Sequence, residues 1–244
     1  MSAELKPVMP DPIDEPIAEN EDKAPEPKTI NWQYYLYKIQ CLSAFTFSGF
    51  TAMHLPAVLL APSLTHSIDN GNAILRAGRA IYQFLPIEML FAGSVILHVA
   101  SGVSLRYLRN VDSKAKYGKS TKVSPIAKSG YLLAVLLGGH AFMVRAIPLL
   151  VDGDSSFVDL SYISHAISTK GAVTFGALAF LAVTYVFHAT GGSLKFLHKK
   201  IGKKPLFAAS VALVLATISL TVIAKAGPAR GSLAAHYNSY VKFM

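Results

Sequence analysis

Residues 84–109 read FLPIEMLFAGSVILHVASGVSLRYLR, an apolar run with one histidine, His98, near its middle. About 20 apolar residues at 1.5 Å per residue cross a hydrocarbon core of about 30 Å, so this stretch reads as a transmembrane helix holding an imidazole inside the membrane. The pattern recurs in residues 172–200, AVTFGALAFLAVTYVFHATGGSLKFLHKK, where His188 and Gly192 stand 90 positions after His98 and Gly102. Beyond that point the match slips by one residue, with Leu105, Arg106, Tyr107 and Leu108 answered by Leu194, Lys195, Phe196 and Leu197. The segments ahead also correspond: His54 and Pro62 in MHLPAVLLAP, and His140 and Pro148 in GHAFMVRAIP, are related by a constant offset of 86. Apolar matches arise easily in membrane sequence, whereas matched histidines and prolines do not. The chain therefore reads as two copies of a two-helix unit running in the same sense, followed by one unpaired helix.

The composition agrees. With 52% hydrophobic and 15% charged residues over 244 positions, the chain is too apolar for an average soluble domain. The formal charge of +9 is spread over short loops between apolar runs, without the continuous basic stripe of a nucleic-acid-binding face. A single cysteine, Cys41, makes no internal disulfide.

In chain order, residues 1–28 hold eight acids, three lysines and six prolines, a composition expected to be disordered, and residues 1–30 are assigned to a cytosolic tail. They have neither the basic start and apolar run of a secretory signal nor the Arg-rich, acid-poor character of a matrix-targeting presequence. Trp32, Tyr34, Tyr35 and Tyr37 mark an interfacial lead-in. Within residues 31–225 the expected spans are about 43–62, 86–108, 129–150, 171–197 and 205–225, with 226–244 a short C-terminal tail. The linker 63–83 allows a short surface helix presenting Ile74, Ile81 and Phe84 beside Arg76 and Arg79. The predicted fold is an all-α integral membrane protein of five transmembrane helices with a disordered, acidic, Pro-rich N-terminal tail.

Five spans place the amino terminus and loops 109–128 and 198–204 on one side. With the span ends, those two loops hold twelve basic residues against three (Arg76, Arg79, Lys170) in the opposite linkers. The positive-inside bias then puts the amino terminus and the basic loops in the cytosol.

Ionisable groups inside a membrane are functional candidates. His54, His98, His140 and His188 are expected near the midplane, and Arg145 deeper, snorkelling to the far interface. A histidine in such a place is either a neutral group bonded to a carbonyl, part of an interhelical hydrogen bond, or a ligand; facing imidazoles are what a six-coordinate haem b needs. Of the two symmetric pairings, His98 with His188 is favoured because Gly102 and Gly192 follow one turn later and Arg106 and Lys195 lie two turns on. No hydrolase or transferase motif appears in a plausible context, and no enzyme activity is expected. In the tail, Val8, Pro10, Asp11, Pro12 and Ile13 form a PxP segment suited to docking in a groove, with residues 24–27, APEP, a weaker second candidate.

The H-x4-R-x2-P of His140, Arg145 and Pro148, the repeated H-x3-G and the tail VMPDPI together resemble the fungal mitochondrial outer-membrane adaptor family of Mdm-ten complementing protein one. The resemblance covers residues 8–13 and 30–225. It implies a multi-pass outer-membrane protein with a cytosolic amino terminus, whose PxP tail docks on a lipid-transfer protein of the vacuolar-protein-sorting-thirteen type and supports vacuole–mitochondria contacts and mitochondrial lipid homeostasis. Partners are then that protein and membrane lipids, with no nucleic acid. The body is similar, more distantly, to cytochrome b-type anchor subunits of succinate dehydrogenase and fumarate reductase, which implies the alternative of a haem-binding electron-transfer or quinone-reactive anchor.

Overall fold

The structure, a computed structural model, describes residues 30–244, and among them every regular element is helical. The PxP segment lies outside the described residues. Five helices are long and apolar enough to cross a membrane: α1 (Trp32–Thr65), α3 (Leu85–Tyr117), α4 (Pro125–Asp152), α6 (Ala172–Phe196) and α7 (Lys204–Lys225). Three shorter ones, α2 (Ile68–Tyr82), α5 (Leu160–Lys170) and α8 (Gly231–Val241), follow the ends of α1, α4 and α7 and so gather at one end of the bundle. The basic turns 118–124 and 197–203 lie at the other end.

The helices run past the apolar stretches because hydrogen bonding continues into the polar turns, and local chemistry stops them. Gly118, at φ 64°, ends α3 in the left-handed conformation that glycine adopts without strain. Ser124 caps α4, its hydroxyl accepting from the Ala127 amide at 3.2 Å, with Pro125 in the first turn where no N–H is needed. Asp159 caps α5 by accepting from the Ser161 and Tyr162 amides.

The repeat is written into the backbone. A π-helical turn interrupts α1 at Pro56–Leu60 and another interrupts α4 at Phe142–Ala146, the same offset of 86 that relates the buried Pro62 and Pro148. Each widened turn precedes a proline whose ring would crowd the carbonyl four residues back. Pro62 also offers no amide to the Val58 carbonyl, and α7 supplies the missing donor: Ser219 Oγ donates to Val58 O at 2.7 Å, while Ser63 Oγ bonds the Leu215 carbonyl at 2.8 Å in return. Ser219 is 1% exposed. Ser219→Ala is expected to cost about 1–2 kcal/mol, since the orphaned carbonyl finds no water there. Ser210→Ala, which removes only an exposed bond to Leu206 O within its own helix, is expected to cost almost nothing. Denaturation midpoints of the two variants in one detergent check the difference.

The fifth helix, expected to stand apart from the repeats, is the most embedded of the five. Ala209, Ala212 and Ala216 are small buried residues that let α7 lie close to its neighbours, α6 above all, and Leu220 and Ile223 join Leu59, Leu160, Ile167 and Ala179 in one core cluster.

At the cap end the expected short helix is present with Ile74, Ile81 and Phe84 outward, while the reading of the C-terminal segment is corrected. In α2 the inward face is Gly71, Asn72, Leu75, Gly78 and Tyr82, while Ile74, Ile81 and the following Phe84 are exposed, 42%, 52% and 61%. The small residues face the bundle because α2 lies directly on the first π turn; a Cβ at Gly71 would come within 2.8 Å of Ala57 O and 2.5 Å of Leu160 Cδ1. The C-terminal segment is not a loose tail. Helix α8 buries Tyr237, Tyr240 and Val241 against α5, with Tyr162 5.3 Å from Tyr237 and 5.9 Å from Tyr240 between ring centres. Its inward face is built of tyrosines rather than aliphatic residues. Their hydroxyls find partners at the edge of the cap, Tyr237 on Phe157 O at 2.9 Å and Tyr240 on the Asp152 carboxylate.

Candidate functional site

A cavity of about 560 Å³ opens between the spans, its wall contributed by Phe50 of α1, Phe91 of α3, Leu133 of α4, Leu178 of α6 and Ala216 of α7. His54 and His140 meet edge-on in it with ring centres 6.2 Å apart. The His54 ring stacks on Phe50, one turn earlier in α1, at 5.1 Å and 17°, and its Nδ1 is buried without a hydrogen-bond partner.

The cap side of the cavity is lined by charge. Arg145 grips Glu88 of α3 with two parallel bonds, Nε to Oε1 at 2.6 Å and Nη2 to Oε2 at 2.5 Å, and also reaches the Ser155 hydroxyl. Arg145 therefore points to the cap end of the bundle, where the Glu88 carboxylate and the Ser155 hydroxyl hold it. Arg79 of α2 also lines this wall, donating to the carbonyls of Ser155 at 2.6 Å, Val158 at 2.6 Å and Ser156 at 3.3 Å. Burial pushes its guanidinium below the ordinary arginine range. Sequence reasoning placed Arg79 on a polar linker and missed this role; its one signal was a second arginine three residues after Arg76 on a helix with a glycine-lined face.

The second histidine pair is also formed. His98 of α3 and His188 of α6 stand with ring centres 6.2 Å apart and planes at 88°. His98 Nδ1 lies 3.1 Å from the Gln40 carbonyl, and His188 Nδ1 lies 3.0 Å from the Ile126 carbonyl and 3.2 Å from Ser129 Oγ. Gln40 and Ile126 are themselves 86 apart, so this contact is repeated along with the histidines.

These contacts revise the depth of the histidines. Each carbonyl partner is 14 residues before the histidine of the other pair on the same helix, Gln40 before His54 and Ile126 before His140. At 1.5 Å per residue the two pairs sit about 21 Å apart along α1 and α4, one toward the basic turns and one toward the cap. They are not at a single midplane level. The sequence reading took span ends from hydropathy, but α1 begins at Trp32 and α3 runs to Tyr117, which displaces every depth counted from those ends.

Two further details differ from expectation. The space expected beside Gly102 is taken by Gln40, whose Nε2 would lie 2.8 Å from a Cβ there; Gly192 does face open space, and Gly130 admits the His188 ring, whose Cε1 would be 2.7 Å from a Cβ. Arg106 is committed to the turn at the basic end, donating to Thr121 O at 2.8 Å and Lys122 O at 3.3 Å.

Haem b was one of the readings that the sequence left open for these histidines. A carbonyl oxygen only accepts, so the contacts of His98 and His188 put hydrogen on each Nδ1 and leave Nε2 as the lone-pair nitrogen, the tautomer and outer contact typical of metal-bound imidazole. Among the described residues no three His, Cys, Asp or Glu side chains converge on one point, so a bare ion has no site, whereas a macrocycle brings four ligands of its own and asks the protein for two. The residues fit the group.

No curated protein and no solved structure matches the chain. A family model does, over residues 135–227, from the middle of α4 to the end of α7, a range that includes His140, Arg145, Pro148 and His188. That model describes the transmembrane domain of MDM10-complementing protein 1, to which this five-span membrane chain is similar over those residues.

Proposed function

We propose that this chain is a multi-pass receptor of the mitochondrial outer membrane that recruits a bridge-like lipid-transfer protein of the vacuolar-protein-sorting-thirteen type. Recruitment runs through Pro10 and Pro12 of the PxP segment and supports vacuole–mitochondria contacts and mitochondrial lipid homeostasis. The observation that carries this reading is the coupling of the segment VMPDPI to a membrane domain similar to that of MDM10-complementing protein 1. Two prolines one residue apart restrict the chain before it binds, so docking in a groove costs little ordering entropy, and Val8 and Ile13 supply the apolar contacts. The domain anchors, and the segment ahead of it binds. Nothing in this division of labour calls for catalysis by the chain itself.

Pro10→Ala combined with Pro12→Ala is expected to abolish recruitment of the lipid-transfer protein to mitochondria, with the amount and membrane insertion of the variant unchanged. Co-localisation and co-purification from mild detergent check it. Recruitment that survives both this variant and removal of residues 1–28 excludes the tail as the docking element.

A further inference from the structure

We propose that the bundle holds two iron–tetrapyrrole sites of the b-haem type, one on His54 and His140 and one on His98 and His188. The proposal stands apart from the receptor reading and needs no lipid-transfer partner.

The spacing is the first argument. A ligating imidazole nitrogen lies about 2 Å from its metal and the ring centre about 1 Å beyond, so two axial imidazoles on one ion have centres about 6 Å apart. Both pairs stand at 6.2 Å, each joining two different spans, α1 with α4 and α3 with α6. Interhelical hydrogen bonding between the imidazoles leaves this unexplained, because in the second pair Nδ1 of each ring is already engaged by a backbone carbonyl.

Space and chemistry are the second. The cavity at the first pair, about 560 Å³, falls in the range of about 300–1,000 Å³ typical of cofactor pockets and is walled by apolar and aromatic side chains. A Cβ at Gly138, which lines the cavity two residues before His140, would meet nothing within 4 Å, so a flat ring can approach α4 there. Open space likewise lies beside Gly192 at the second pair, and the only buried residues of α3, which borders both sites, are Ser94, Ser101 and Leu105. Propionates need cations. Arg79 lines the first cavity with its hydrogen bonds spent on carbonyls and with no carboxylate within ion-pair distance among the described residues. The second pair lies toward the lysine-rich turns.

The test uses the full chain, purified in mild detergent from haem-replete cells, with haem quantified per chain by the pyridine haemochrome assay. Two haems per chain are expected, with a low-spin Soret band and a sharp α band on dithionite reduction. His54→Ala or His140→Ala lowers the ratio to one, as does His98→Ala or His188→Ala. Combining His54→Ala with His98→Ala removes all haem, and His66→Ala leaves two. Helicity and gel-filtration profile are measured for each variant. His98→Gly and His54→Gly are titrated with imidazole, which restores the low-spin spectrum of a folded protein that lacks only the ligand. A wild-type protein without Soret absorbance, which also binds no added haemin, overturns the proposal. So does one haem per chain, or haem whose spectrum survives substitution of either pair. A lipid or quinone co-purifying in the cavity in place of haem overturns it as well.

Discussion

Tyr162→Ala is expected to destabilise the protein by about 3–5 kcal/mol, the range for removing a large aromatic side chain from a core. Tyr162 is fully buried and lies at the centre of the cap, packed between Tyr237 and Tyr240 of α8 with Ile147 and Val158 around it. Its loss removes what α8 sits on, so limited proteolysis of the variant is expected to release residues 231–244 long before the spans are cut. Tyr162→Phe is expected to be nearly neutral at pH 7, because the hydroxyl reaches only Met143 O at 3.5 Å. The two variants differ again in alkali. Burial raises the Tyr162 phenol to about 12 and that of Tyr82 also to about 12, against an ordinary tyrosine value of about 10. A raised value means the folded state keeps the neutral phenol; its contribution is intact below about pH 10 and is lost as pH rises through about 12. The wild-type cap is thus expected to melt in that window, seen as a tyrosinate absorbance change coincident with protease sensitivity, and Tyr162→Phe to melt later.

The second large effect lies at the cap side of the cavity. Glu88→Ala is expected to cost about 2–3 kcal/mol, the penalty for leaving a partly buried charge without its partner, because Arg145 is left with Ser155 alone. The side chains are 29% and 27% exposed at the cavity wall, which keeps the figure below that of a dry buried pair. Replacing both partners, Glu88→Leu with Arg145→Met, is expected to be far milder than either single change, since no charge is then left uncompensated. A double-mutant cycle on unfolding midpoints in one detergent measures the coupling.

Much of this was legible in the sequence, for physical reasons. Histidine and proline are scarce in apolar spans, so the offsets of 86 and 90 registered the repeat, and the structure brings both symmetric histidine pairs together edge-on. The π turns behind Pro56 and Phe142 were not legible, because a widened turn leaves no mark on hydropathy. The two levels of the histidines were missed for a related reason: hydropathy locates the oily part of a helix, not its ends. Arg145 was read alone because its partner, Glu88, lies 57 positions away on another span, a pairing that no local pattern encodes. Helix α8 was missed because its inward face is tyrosine, which reads as interfacial until α5 is known to lie beneath it.

The central claim is a five-span body with the basic turns at one end and the cap of α2, α5 and α8 at the other. In mitochondria the proposed receptor needs the tail outside. The most direct measurement is protease treatment of intact mitochondria carrying the chain with one epitope near residue 5 and another in the 153–158 turn between α4 and α5. The account predicts that the first epitope and the lysine-rich 118–124 turn are cut while the second stays protected until the outer membrane is opened. A protected N-terminal epitope, or cleavage at 153–158 in intact mitochondria, would contradict it.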